Sequence, residues 1–149
     1  MDLSKKVVIG SDHAGFEAKE QLKEFLKGEG YDVTDVGTDS LLSCDYPDFA
    51  FKVGETVMKD HILGILICGS GEGVEMAANK VKGVRAAIGY NDEVSRLARQ
   101  HNDANVITFG ARFMDIKDIE RRSNIFLTTA FEGGRHQKRV DKILAYENK

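Results

Sequence analysis

Short runs of aliphatic and β-branched residues alternate along the chain with longer segments in which apolar residues recur every three or four positions. The short runs predict strands, and the longer segments predict amphipathic helices. Strands separated by helices form βαβ units, which assemble into a parallel sheet. The pattern predicts five strands, over residues 7–9, 31–36, 62–68, 85–88 and 105–109.

The segment after the first strand is the clearest helix. Leu22, Phe25 and Leu26 form an apolar stripe with the spacing i, i+3, i+4, which predicts a buried face. Gly28 and Gly30 supply the signal that ends this helix. The wetter side of the helix is expected to carry its charged residues, Lys19, Glu20, Lys23 and Glu24.

Two further apolar stripes predict one helix after Pro47, marked by Phe49, Val53 and Val57, and one late in the chain, marked by Ile116, Ile119 and Phe126. No internal repeat or long linker interrupts the pattern. A chain of 149 residues is long enough to bury roughly 70% of its unfolded surface in one compact unit. We therefore expect a single doubly wound α/β domain over residues 1–149.

Composition and charge narrow the classes of function. Hydrophobic residues make up 42% and charged residues 30%, an ordinary balance for a globular protein. The net charge of -3 gives no general attraction for nucleic acid or for an anionic membrane. No apolar run approaches the roughly 18 residues of a membrane span, and Met1 to Lys6 contain no signal-peptide core. We expect a cytoplasmic protein that binds neither nucleic acid nor membrane.

Cys44 and Cys68 lie far apart in the sequence and lack the CxxC spacing of a metal or redox motif. This spacing argues against a disulfide framework and against a zinc cluster. At least one free thiol is expected.

Candidate chemistry follows the predicted strands, because ligands of such sheets bind outside the carboxyl ends of the strands. The third strand is followed by Cys68-Gly69-Ser70-Gly71-Glu72-Gly73, whose alternating glycines let backbone N–H groups approach an anion beside a helix start. The first strand is followed by Asp12 and His13. From the residues alone, the favoured interpretation is that Asp12 caps the helix and that His13 is a surface residue.

Familiar glycine-loop chemistries do not fit the segment after the third strand. A P-loop needs Gly-Lys-Ser/Thr, which is absent, and the GxGxG spacing differs from the GxGxxG of dinucleotide sites. A cysteine phosphatase usually has an arginine six residues after its nucleophile, where this chain has Val74. Covalent phosphate chemistry is therefore not expected.

Two later segments add candidate groups. His101 stands among polar residues just before the fifth strand, where a structural role at a helix end is the competing interpretation. Arg135 and Arg139 are four residues apart and would share a face of a last helix, either as a phosphate grip or as a solvated surface. Arg112, after the fifth strand, is a third candidate cation. His61 and Cys44 are read as a surface residue and a structural residue, respectively.

The chain resembles the type B ribose-5-phosphate isomerases and the related subunits of galactose-6-phosphate isomerase over nearly its whole length. The motifs that carry the resemblance occupy residues 10–16, 45–47, 67–73, 77–80, 99–103 and 132–136. The resemblance implies a Rossmann-like, three-layer α/β/α sandwich with a five-stranded parallel sheet. It further implies a homodimer, with a tetramer left open, whose active sites lie between subunits and use no metal or organic cofactor.

The same resemblance implies a role for each candidate residue. Cys68 is the base that removes the carbon-bound proton of a sugar phosphate, Ser70 assists with oxygen protons, and His101 opens the sugar ring with Asp12 nearby. Backbone N–H groups of the Gly69, Gly71 and Gly73 loop hold the enediolate oxygens. The substrate is further bound by His13, Arg112, Arg135 and Arg139 at the phosphate and by Tyr46 and Asn102 at the sugar.

Two departures from the family pattern concern the loop. Ser70 stands where many members have threonine, and Glu72 and Glu75 put carboxylates around the anion loop. One branch of the family replaces the cysteine base by a glutamate that aligns with Val74, one residue from Glu75, and Cys68 is retained as the expected base here. Glu72 and Glu75 are therefore expected to face away from the phosphate. Two alternative functions remain open: a galactose-6-phosphate or allose-6-phosphate isomerase subunit, and a non-catalytic sugar-phosphate-binding module.

Overall fold

The computed structural model of the chain describes residues 5–149 and contains one parallel sheet with the strand order β2-β1-β3-β5-β4. In chain order, its strands and helices are β1 (Lys6–Ser11), α1 (Phe16–Gly28), β2 (Asp32–Asp35), α2 (Tyr46–Asp60), β3 (Leu63–Cys68), α3 (Glu72–Ala78), β4 (Ala86–Ile88), α4 (Asp92–Gln100), β5 (Val106–Gly110), α5 (Ile116–Thr128) and α6 (Gln137–Glu147). A 3₁₀ turn over Gly134–His136 leads into α6. The prediction that Met1 to Lys6 contain no signal-peptide core falls mostly on residues 1–4, which lie outside the described residues.

The predicted architecture is confirmed. Each of the five predicted segments contains a strand, and the five strands form one parallel sheet with helices on both faces. The strand ends differ from the predicted ones by at most two residues. The first strand is longer than predicted, at Lys6–Ser11, and the second is shorter, at Asp32–Asp35.

Two apolar clusters fill the space between the sheet and its helices. Alternate residues of the central strands point to opposite faces, as the two-residue repeat of a strand requires. Val7 and Ile9 join the cluster under α1, α4 and α5, whereas Val8 joins the cluster under α2 and α3. The result is a three-layer α/β/α sandwich.

The expectation that Lys19 lies on the wetter side of α1 is wrong, because its side chain is fully buried. Its ammonium group contacts Asp35 at 2.5 Å and Glu20 at 2.8 Å. Burial alone would raise the pKa of Asp35, but hydrogen bonds from Lys19 and Lys23 outweigh it and lower that pKa. The charged group that the helical pattern assigns to solvent therefore ties α1 to the end of β2.

The strand order creates a reversal point between β1 and β3, where the chain continues outward in opposite directions. Crevices that hold ligands form at the carboxyl ends of strands at such points. Here the crevice is bordered by the segments after Ser11 and after Cys68. Among residues 5–149, no helix has the length and apolar character needed to cross a membrane.

Candidate active site

Cys68 ends β3 and is almost completely buried, with 5% of its surface exposed. The backbone N–H of Gly71 donates a hydrogen bond to its Sγ over 3.2 Å. Gly71 adopts a φ of 86°, and a β-carbon there would lie 2.9 Å from the carbonyl carbon of Phe109. Only glycine combines this backbone conformation with such a close approach. The turn therefore directs an N–H group at the thiol.

Ser70 occupies the outer side of the same turn. Its hydroxyl oxygen accepts a hydrogen bond from the backbone N–H of Glu72 at 3.2 Å, which leaves the hydroxyl proton available to another acceptor. The carbonyl of Gly71 accepts a hydrogen bond from the buried hydroxyl of Thr108 at 2.9 Å. The loop is thus fixed from β5, and two of its N–H groups donate to the side chains of Cys68 and Ser70.

Asp12 and His13 lie beside this loop. Asp12 is buried, and its backbone N–H donates to the carbonyl of Ile67 at 3.3 Å. Its carboxylate accepts a hydrogen bond from the N–H of Gly15, the residue that caps α1, so Asp12 closes the turn before the helix without being the cap itself. Nδ1 of His13 accepts a hydrogen bond from the backbone N–H of Cys44 at 3.2 Å. In the neutral ring, that bond places the proton on Nε2, which becomes a donor.

Tyr46 and Arg112 form the walls of the loop. Tyr46 begins α2, and its ring covers Gly73 so closely that a β-carbon there would lie 2.7 Å from Cε1. Arg112 lies over Gly69, with Nη1 3.0 Å from the place where a β-carbon would stand. Its backbone N–H donates to the carbonyl of Gly69 at 3.1 Å. A phenol and a guanidinium group therefore flank the thiol loop.

A second group of candidate residues surrounds His101, directly after α4. The rings of His101 and His136 stack with their centroids 4.2 Å apart and their planes at 13°. Glu132 approaches Nε2 of His136 at 3.6 Å. Burial lowers the pKa of His136, and positive charge on His101 and Arg135 lowers it further. Sequence reasoning missed this stack, because it depends on the path that the chain takes after α5.

Arg135 and Arg139 are both exposed and lie near this second group. The expectation that they share the face of one α-helix is wrong, because Arg135 belongs to the 3₁₀ turn before α6 and only Arg139 is in the helix. Asn102 is also exposed. These three side chains are free to meet a molecule that approaches from outside.

The two groups lie at opposite edges of the sheet. Cys68 pairs with Gly110, at the carboxyl end of β5, whereas His101 precedes Val106, at its amino end. A five-residue strand is roughly 13 Å long. One chain therefore does not bring Cys68 and His101 together. Residues at the carboxyl edge are Asp12, His13, Tyr46, Cys68, Gly69, Ser70, Gly71, Gly73 and Arg112, and those at the amino edge are His101, Asn102, Arg135 and Arg139.

The two acidic residues of α3 differ in environment. Glu75 is half-buried, and burial raises the pKa of its carboxyl group, with a further increase from the charge of Glu72 and a partial offset from the N–H of Ile88. Glu75 thus faces the end of β4. Glu72 is exposed and, with Ser70, lines a cavity of about 460 Å³.

Among residues 5–149, one group of three side chains has the composition of a metal site: His101, Glu132 and His136, whose ligand atoms lie within 4.8 Å of one another. Ligands of a tetrahedral zinc ion lie about 3.3 Å apart, because each is about 2 Å from the metal. The stacked rings would have to rotate to reach that geometry. The arrangement as it stands is a histidine pair with a neighbouring carboxylate.

Comparison with known proteins supplies a family for this geometry. Residues 7–143 match the family model described as Ribose/Galactose Isomerase. The chain is 47% identical to a probable ribose-5-phosphate isomerase B of Mycoplasma genitalium, with 97% of each chain covered. It is 40% identical to the ribose-5-phosphate isomerase B of Escherichia coli, over 97% of this chain and 98% of the relative.

A solved structure is also similar along the whole chain. The crystal structure of ribose-5-phosphate isomerase B from Mycoplasma genitalium, with bound ribulose 5-phosphate, has a TM-score of 0.93 and 46% identity. The alignment covers 97% of both chains. The sheet and the loops at its carboxyl edge therefore have a counterpart in a protein that holds a five-carbon ketose phosphate.

Proposed function

This chain belongs to the ribose/galactose isomerase family, and we propose that it interconverts ribose 5-phosphate and ribulose 5-phosphate through an enediolate, at a site built from two subunits. The substrate pair follows from relatives named ribose-5-phosphate isomerase B that match nearly the whole chain. The structural relative with bound ribulose 5-phosphate supports the same pair. The observation that carries the mechanism is the buried Cys68 thiol with the N–H of Gly71 directed at its sulfur.

Cys68 acts as the base in this proposal. The thiolate is the basic form of cysteine, and the backbone N–H of Gly71, 3.2 Å from Sγ, can donate a hydrogen bond to that anion. Cys68 removes the C2 proton of the open-chain aldose and returns it to C1, so no proton is gained or lost overall. Its burial keeps water from competing for that proton.

Ser70 moves the second proton. Isomerisation transfers a hydroxyl proton from O2 to O1, and a hydroxyl that is both donor and acceptor is suited to this step. The N–H of Glu72 occupies one acceptor position of Ser70, and the hydroxyl keeps its proton and a second acceptor position for the substrate. The N–H groups of Gly69 to Gly73 that remain free would stabilise the enediolate oxygens, each worth about 3–4 kcal/mol when well placed.

Ring opening and phosphate binding require a second subunit. His101 would donate and accept protons at the ring oxygen and the anomeric hydroxyl, opposite Asp12 of the first subunit. His13 and Arg112 of the first subunit would meet Arg135 and Arg139 of the second around the phosphate. The roughly 13 Å length of the strand between the two edges supports this arrangement, because one chain keeps the halves apart. Asn102 of the second subunit and Tyr46 of the first would contact the sugar.

Exposed apolar side chains support an interface between copies of the chain. Tyr90 and Phe113 are 61% and 79% exposed, and they line one cavity together with Ser70. Ile143 and Tyr146 are 52% and 74% exposed on α6. Such side chains are common at protein contacts. We further propose a homodimer in which each chain is one domain over residues 1–149. We also propose a cytoplasmic location, because a charged sugar phosphate does not cross a bilayer unaided.

One assay tests the function. The purified chain alone is given ribose 5-phosphate, allose 6-phosphate or galactose 6-phosphate, in buffer with EDTA. We expect rapid conversion of ribose 5-phosphate without any added metal. Preference for a six-carbon substrate would point to the galactose or allose branch of the family. Substrate binding without turnover would identify a non-catalytic module, and loss of activity in EDTA would contradict the metal-free mechanism.

A further inference from the structure

The turn that carries His101 and Asn102 ends at Asp103, which has a φ of 47°. Residues other than glycine rarely adopt this left-handed conformation, and aspartate and asparagine tolerate it best. The turn therefore needs contacts that hold it in place. Asp103 is the residue through which those contacts are made.

Two arginines grip Asp103 from opposite sides. Arg99 donates from Nη1 to Oδ1 at 2.9 Å, and Arg85 donates from Nη2 to Oδ2 at 3.3 Å. Arg85 also donates to the backbone carbonyl of Asp103 from Nη2 at 2.8 Å, and from Nε to the carbonyl of Asn102 at 3.2 Å. Both guanidinium groups are largely shielded, since the side chains of Arg85 and Arg99 are 15% and 13% exposed.

Arg99 extends the contacts to the segment that leads to the phosphate-binding arginines. Its Nε donates to the carbonyl of Thr129 at 3.2 Å, and the N–H of Glu132 donates to the carbonyl of Gln100 at 3.0 Å. The guanidinium also lies over the ring of Phe126 at 5.8 Å. The end of α4 and the segment after α5 are therefore joined by the side chain of Arg99 and by one backbone hydrogen bond.

We propose that Arg85, Asp103 and Arg99 form a positioning clamp that holds His101 and Asn102 in the geometry required at the active site of the second subunit. This inference rests on the proposed function, in which one subunit lends these residues to the other. Ion pairs with little exposure add little net stability, because the desolvation of their charges offsets their attraction. Fixing two neighbouring residues within a fraction of an ångström is the effect that such a network is suited to produce.

The first test changes only the charge of the carboxylate. Asp103→Asn keeps a residue that tolerates the left-handed backbone but removes the charge that both arginines share. Displacement of a reacting group by about 1 Å can cost about 100-fold in rate, so we expect kcat for ribose 5-phosphate to fall about 10- to 100-fold, with KM changing less than about threefold. Asp92→Asn is the matched control, because Asp92 is likewise held by two arginines, Arg121 and Arg122, at the other end of α4.

A proton-exchange measurement separates positioning from general damage. Ribulose 5-phosphate cannot close a five-membered ring, because its C5 oxygen carries the phosphate, so exchange of its C1 proton with solvent does not require ring opening. We expect Asp103→Asn to reduce this exchange much less than the isomerisation of ribose 5-phosphate. Equal losses in both reactions would overturn the clamp, as would an equal loss in Asp92→Asn.

Mixed dimers locate the effect. In a dimer of one Asp103→Asn subunit and one Cys68→Ala subunit, one site combines an intact Cys68 with an intact clamp. We expect that site to work at the wild-type rate, which gives half of the wild-type activity per dimer. An impaired site in verified mixed dimers would show that Asp103 acts within its own subunit, and the clamp would be wrong while the isomerase function stood. Wild-type protein that fails to convert ribose 5-phosphate would overturn both.

Discussion

Gly71 and Cys68 are joined by a hydrogen bond from the backbone N–H of the first to Sγ of the second, at 3.2 Å. The donor belongs to the backbone, so a substitution of Cys68 removes the acceptor and leaves the donor in place while the turn is intact. The sulfur is buried, and a charge on it would be poorly solvated without this donor. The pair therefore places a hydrogen-bond donor where negative charge on the sulfur would need one.

Replacing Cys68 by alanine tests its role as the base. Because general-base catalysis contributes about 10²- to 10⁴-fold, Cys68→Ala should lose at least that factor in kcat while the protein stays folded. Cys44→Ala is the control: it removes a sulfur that lies 3.9 Å from Nδ1 of His13 but keeps the backbone N–H of Cys44 that donates to the same nitrogen. Glu75→Gln should retain most activity. The measurement is solvent exchange of the C2 proton; rapid exchange in Cys68→Ala together with slow exchange in Glu75→Gln would assign the base to Glu75.

The division of the site between subunits is tested by complementation. His101→Ala and Cys68→Ala proteins should each be nearly inactive, yet a dimer containing one of each has one site with both residues intact. Mixing, with subunit exchange verified by mass spectrometry, should therefore restore activity. Mixed dimers that stay inactive would place both residues in the same site of one chain, against the opposite edges they occupy.

Arg139 is expected to hold the phosphate. A hydrogen bond to a charged group contributes about 1.5–3 kcal/mol, so Arg139→Ala should weaken binding of ribose 5-phosphate by about 10- to 100-fold. Turnover of any free sugar that the protein accepts should change far less. Lys138→Ala removes a neighbouring exposed cation and serves as the control. Equal effects of Arg139→Ala on phosphorylated and free sugars would indicate a structural role.

The lowered pKa of His136 predicts a pH dependence of stability. Burial favours the neutral ring, so the unfolded chain takes up a proton at a higher pH than the folded chain does. This contribution is fully present above the ordinary histidine range, near pH 6.5, and is lost as the pH falls below it. Thermal unfolding of wild type and His136→Gln at pH 5 to 8 should therefore converge on acidification. Parallel curves would show that His136 is not the group responsible.

The sheet and the glycine loop could be predicted because their signals are local. Short apolar runs that alternate with helical segments predict strands, and the glycines at 69, 71 and 73 predict a loop whose backbone N–H groups can approach an anion closely. The burial of Lys19 could not be predicted, because the helical pattern of α1 does not reveal that the carboxylate of Asp35, at the end of β2, pairs with its ammonium group. Contacts of that kind depend on how elements meet.

The opposite placement of Cys68 and His101 had a signal that topology supplies. A helix between two parallel strands runs back across the sheet, so a residue at the end of α4 lies at the edge where β5 begins. The stack of His101 on His136 had no comparable signal, because it depends on the path of the chain after α5. The contact of Cys44 with His13 likewise depends on how the 38–45 loop folds over β1.

In the proposed arrangement, the distance between the two edges of the sheet makes turnover depend on protein concentration. A lone chain carries half of each of two sites and completes neither, whereas a twofold dimer completes both at once. Dilution below the dissociation constant of the dimer would therefore switch off turnover by mass action, even though every chain remains folded. Specific activity should rise with protein concentration and then level off, and a substitution at the interface would abolish activity without touching a single group that meets the sugar.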